Sequence, residues 1–124
     1  MAGKDAAAKG HGPAGDVNVV VVVGEVSRDA TVTEAGDGRV FTSFDVVCRG
    51  ADGRTVVPVT LEADNPLTAG TRVAVFGTVN KRLYASGAGL AARTDVRADR
   101  VTVVRRPAQL VRLMQGVADD LLGR

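Results

Sequence analysis

A chain of 124 residues with 45% apolar content forms one domain with a real but modest core. Aromatic residues make up only 3%, and the apolar positions are mostly Val and Ala, which favours strands. The formal net charge of +2 hides an uneven distribution: six Lys/Arg against ten Asp/Glu up to Gly70, then ten against four from Thr71 onward. The basic character belongs to the end of the chain, as a local patch of the kind that attracts phosphates.

The single cysteine, Cys48, excludes an intramolecular disulfide and fits a reducing compartment. It ends a strand pattern and reads as a small buried hydrophobe rather than a reactive thiol. The apolar run Val19–Val23 is too short to span a membrane and is followed by Gly24. The opening MAGKDAAAKGHGPAGD lacks the hydrophobic segment of a secretory signal, so a cytoplasmic location is expected.

In chain order, residues 1–16 offer nothing to bury and are expected to be disordered. His11, the only histidine, lies there between two glycines and is a poor ligand or base. Strand one begins near Val17 and is apolar on both faces from Val19 to Val23, so its outer side needs a cover. After Gly24 the stretch EVSRDATVTEA carries the strand on through a bend. AGDGRV supplies a hairpin turn. Strand two sets Phe44, Val46 and Cys48 on one parity and Phe41, Ser43, Asp45, Val47 and Arg49 on the other. GADG turns the chain into strand three, RTVVPVTLE, where Pro58 marks an edge or a gap in pairing. ADNPLTAG holds one helical turn at most.

Two long strands then run from Thr71 to Val104 around a Ser-Gly-Ala-Gly turn. In the first, Val73, Val75, Gly77, Val79 and Leu83 share the parity expected to face the core. Arg72, Phe76, Thr78, Asn80, Arg82 and Tyr84 share the open one. Gly77 inside the run marks a bulge or a barrel corner. Residues 17–106 thus make one all-β, five-stranded barrel. From 107 to 124 the pattern turns helical: Pro107 suits a first helical turn, and Leu110, Val111, Leu113, Met114, Val117, Ala118, Leu121 and Leu122 form a broad apolar stripe interrupted by Gly116.

Five strands with this order of hairpins and connections follow the OB-fold pattern. VNVVVVVGEVSRDATV, TSFDVVCRG, AGTRVAVFGTVNKRLY and TDVRADRVTVV, in that order over residues 17–104, resemble the bacterial single-stranded DNA-binding protein family. The resemblance implies an OB-fold that binds single-stranded DNA and assembles as a homodimer or homotetramer. Tyr84 stands where a stacking aromatic is expected, and Arg82 where a basic neighbour is. Residues 54–62 hold no aromatic, the helix between strands three and four is cut to a loop, and the stretch from Pro107 is unlike the family's acidic-tipped tail. The expected grip is therefore mainly electrostatic, through Arg72, Lys81, Arg82, Arg93 and Arg97 with Tyr84 stacking.

No catalytic, metal or cofactor site is expected. The acids are scattered, no triad assembles without His11, no glycine-rich loop has phosphate-loop spacing, and no Cys/His cluster exists. The alternative to nucleic-acid binding is an OB-fold adaptor for a protein partner, using the C-terminal helix and the outer face around Phe76. Self-association is expected through the outward valines Val19, Val21 and Val23. The helix is expected to pack by Leu110, Met114, Val117 and Leu121, against its own barrel or another subunit.

Overall fold

The computed structural model describes residues 15–123. Its elements are β1 (Val20–Val26), β2 (Thr31–Glu34), β3 (Val40–Gly50), β4 (Gly53–Leu61), β5 (Arg72–Ser86), β6 (Gly89–Val103) and α1 (Pro107–Leu122). Strand order is β1-β5-β6-β4-β3-β2, and β1 also pairs with β3. Five strands therefore close into an OB-like barrel, while β2 extends β3 outside the ring. The chain is all-β with one C-terminal helix among the described residues, as its alternation of apolar residues implies. The expected disordered segment over 1–16, His11 included, lies outside the described residues apart from residues 15 and 16.

The barrel interior is a valine core. Val22 and Val26 of β1, Phe44 and Val46 of β3, Val59, Val73, Val75 and Val96 pack together, and Leu67 closes one end from the β4–β5 loop. No helix forms in that loop. It is tied down instead by Thr42, whose hydroxyl donates to the Ala63 carbonyl at 2.6 Å and accepts from the Asn65 N–H at 3.0 Å. Thr42 is fully buried, and both of its hydrogen-bonding roles are filled. Cys48 is half-buried against the core, its thiol donating to the Val23 carbonyl at 3.4 Å.

Strand one does not run on unbroken. β1 ends at Val26, residues 27–30 bend, and β2 resumes alongside β3 from Thr31. The bend satisfies its backbone elsewhere: Ser27 N–H donates to Asp45 and Ala30 N–H to Leu67. The strand also starts three residues later than Val17, yet Asn18 continues its ladder by side chain. Its amide donates to the Val79 carbonyl at 3.0 Å and accepts from the Val79 N–H at 2.9 Å. Pro58 sits where the pattern put it. β4 meets β6 only through Val59, Thr60 and Leu61, so Pro58 has β3 alone beside it.

Two glycines permit the closure. At Gly77 an added Cβ would run into the Arg97 carbonyl oxygen, and at Gly24 into that of Val47. Phe76 pairs with Arg100 but Gly77 with Ala98, so Asp99 is the extra residue of a bulge on β6.

Two expectations need correction. Val79 and Leu83, assigned to the core by parity, are 49% and 68% exposed. The β5–β6 hairpin is longer than the barrel is tall, so residues 81–90 project as an exposed arm. Phe76 does face outward but is buried, with the Arg100 guanidinium 4.9 Å from its ring centroid, so it offers no open docking face. Val19, Val21 and Val23 are half-buried within the single chain, beside Ala74 and Phe76, which are buried too. The valines therefore expose less apolar surface than strand one alone implies.

α1 starts at Pro107 and ends on Gly123 at φ 77°, whose N–H satisfies the carbonyls of Asp119 and Asp120. At its start, the Gln109 side chain accepts from the Arg105 N–H and donates to the Val103 carbonyl, both at 2.9 Å, fixing the helix to the end of β6. Its packing is lighter than expected: Leu110, Leu113 and Val117 are half-buried, while Met114 and Leu121 are exposed. The helix is too short to cross a membrane and none of its residues is buried.

Replacing Gly77 by Ala forces β5 away from β6 where the barrel closes. The expected cost is about 1–3 kcal/mol, read as a lower urea midpoint. A Gly77→Ala chain as stable as the parent would show that this approach is not tight.

Candidate nucleic-acid interface

The outward residues of β3 to β6 form one continuous polar face, because register aligns them. Thr31 lies opposite Ser43, Ser43 opposite Thr60, Thr60 opposite Arg97, and Arg97 opposite Thr78. Two adjoining depressions of about 450 and 530 Å³ open on this face and share Arg97. The first is lined by Thr33, Arg39, Phe41, Thr60, Arg82 and Arg97 among others. The second runs on past Thr78 and Asn80 to Glu62 and Asp99. The first depression is thus basic and aromatic, and the second adds the acids Glu62 and Asp99.

Asp95 anchors its floor. The side chain is on the outer face and almost completely buried, at 3% exposure. Its carboxylate accepts from the Thr60 hydroxyl at 2.9 Å, the Asn80 amide at 3.3 Å and the Arg82 guanidinium at 3.4 Å. These donors come from β4 and β5, so one carboxylate on β6 ties three strands together. A buried charge is tolerable only when its acceptor sites are filled in this way. Arg82, half exposed, is held by this contact where it lines the groove.

The β2–β3 hairpin supplies the opposite wall. Asp37 accepts from the Arg39 N–H at 3.1 Å and from its Nε at 2.8 Å. The backbone N–H of Arg39, then its guanidinium, hold the Asp37 carboxyl below its usual range. That contribution is present above the ordinary carboxyl value and is lost as pH falls through the lowered one. The Arg39 guanidinium also lies 5.2 Å from the centroid of the Phe41 ring, and 3.9 Å from Glu62.

The expected site residues divide into three groups. Arg82 and Arg97 line the groove. Arg93 lies directly opposite Arg82 on the arm, and Tyr84, 50% exposed, follows on the same face. Like charges directly opposed repel, so an anion bound there would relieve the pair. Lys81 is on the other face of the arm, beside Leu83, because it has the opposite parity. Arg72 is ten residues from Arg82 along β5, up to about 33 Å of strand, and lies opposite Glu25 in the β1–β5 ladder. It takes no part in the groove. Arg93 and Arg97 make no ion pair among the described residues.

Sequence reasoning missed Arg39, Phe41, Thr60, Asn80 and Asp95 as site residues. One signal was present: Phe41 has the polar parity of strand two, opposite to the core residue Phe44. No signal marked Asp95, whose role depends on strands brought together by the β4–β6 crossover. No protein-family model matches the chain, and comparison with curated proteins gives no match.

Removing the Asp95 carboxylate leaves three donors without their acceptor. Asp95→Ala should cost about 1–3 kcal/mol in urea unfolding, and Asp95→Asn, which keeps one acceptor oxygen, less. Equal stability of all three chains would mean that the network contributes nothing to the fold.

Proposed function

We propose that this protein binds single-stranded nucleic acid, DNA in the first instance, along the groove crossed by Arg97. The observation that carries this proposal is the convergence of Arg39, Arg82 and Arg97 with Phe41 in one open depression on the outer face of an OB-like barrel. OB-folds bind oligonucleotides on this side of the barrel, between the hairpins that correspond to β2–β3 and β5–β6 here. The resemblance of residues 17–104 to bacterial single-stranded DNA-binding proteins supports the same function.

The chemistry is phosphate neutralisation by guanidinium groups with limited base stacking. Phe41 is half-buried and Tyr84 half exposed, so two ring faces at most are offered by the groove and arm. Each stacked base contributes about 1–3 kcal/mol, so most of the grip falls to the cations. Glu62 and Asp99 line the second depression, which makes it less favourable to phosphate than the first. The strand is therefore expected to run from the groove along the arm, past Arg82, Arg93 and Tyr84.

A second reading, an adaptor for a protein partner, is favoured by one observation: α1 leaves Val111, Met114 and Leu122 exposed at 56%, 42% and 64%.

Binding of oligo-dT should weaken steeply with salt, with a log–log slope of roughly −0.7 per phosphate neutralised. Arg97→Ala should make that slope shallower by about 0.7. Tyr84→Ala and Phe41→Ala should lower affinity and leave the slope in place. Absence of oligo-dT binding at ~50 mM salt removes the nucleic-acid reading and leaves the adaptor.

A further inference from the structure

Two apolar surfaces stay uncovered among the described residues, and they match. The first is one face of the β5–β6 arm. Val79, Leu83 and Ala85 share it with Leu90 and Ala92 of the paired strand. Val79, Leu83 and Leu90 are 49%, 68% and 79% exposed. The opposite face carries Arg82, Tyr84 and Arg93, so the arm is apolar on one side and basic on the other. The second surface is on α1. Its apolar residues span about half the helix circumference at 3.6 residues per turn. One half of that arc, Leu110, Leu113 and Val117, is half-buried; the other half, Val111, Met114, Ala118, Leu121 and Leu122, is exposed.

We propose that these surfaces cover each other between two copies of the chain, the arm of each copy seated on α1 of the other. A copy's own α1 does not do so, since the arm residues stay exposed with α1 in place. The lengths agree. Val79 to Ala85 spans ~20 Å of strand, and the sixteen residues of α1 span ~24 Å. The charges agree too. Residues 79–94 contain Lys81, Arg82 and Arg93 and no acid. α1 has Asp119 and Asp120 near its C-terminal end, with no basic residue in the last turn. A helix C-terminus already carries partial negative charge, and a cation from outside compensates it. Lys81, on the apolar face of the arm, is placed to supply it. Two-fold exchange makes the contact twice and closes the assembly, so no further copies add. The inference is independent of nucleic-acid binding.

Sedimentation velocity of the full chain without nucleic acid, at tens of micromolar, tests it. The parent should sediment as two copies. Leu83→Glu and Met114→Glu should each be monomeric, and their equimolar mixture should regain a two-copy species. In the mixture, the Leu83→Glu chain supplies an intact helix and the Met114→Glu chain an intact arm. Both positions are exposed, and unchanged thermal midpoints verify folding; Leu83→Ser and Met114→Gln replace any variant that fails this check. A monomeric parent, variants that stay associated, or a mixture that stays monomeric overturns the proposal. Association that survives both substitutions would point instead to the valines of β1.

Discussion

The structure depends on β5 and β6 remaining paired over nearly their whole length. The pair begins at Val73–Val103 and continues, through one irregularity, to Ser86–Gly89 at the turn. Its first part is barrel wall, paired with β1 on one side and β4 on the other. Its second part has no further strand beside it among the described residues and becomes the arm. The change occurs near Gly77, where the bulge at Asp99 lets the ladder coil and the absent side chain admits the Arg97 carbonyl. Curvature introduced at a glycine and a bulge is a general means of closing a small barrel. Here the same feature places Arg97 on the outer face next to Thr60 and Thr78.

The proposed function follows from what that curvature exposes. A flat, fully covered sheet would bury its outer residues under another layer. This barrel instead leaves a band from Thr31 to Thr78 open to water and loads its edges with guanidinium groups. Asp95 ties the band together: it holds Thr60, Asn80 and Arg82 around one buried carboxylate. Its negative charge offsets one of the cations. In the proposed complex the remaining attraction for phosphate would therefore come chiefly from Arg97, Arg93 and Arg39, the last shared with Asp37. A groove built this way suits a ligand that threads past several modest contacts better than one held at a single deep site.

Much of this was legible in the sequence, and the rest was hidden for physical reasons. Apolar patterning identified the strands, and alternation the core residues Phe44, Val46, Val73 and Val75; Pro58 marked its one-sided pairing, Gly77 its bend, and Pro107 the start of α1. Parity also separated Phe41 from Phe44. Parity does not say where a barrel ends, so Val79 and Leu83 read as core although they lie beyond its rim. Nor does it report what lies over an outward side chain, as with Phe76 under Arg100. The Asp95 network needed the parallel pairing of β4 with β6, a contact between segments far apart in sequence. Local patterns specify elements, whereas sites of this kind arise from their assembly.

Backbone amide chemical shifts of the labelled chain, followed during titration with oligo-dT at low salt, test the central claim most directly. The account predicts changes concentrated on residues 33–43 of the β2–β3 hairpin, around Thr60, and on Asn80 to Arg97, all reversed by added salt. Changes confined to α1, or saturable binding that leaves Arg97 and its neighbours unmoved, would contradict it.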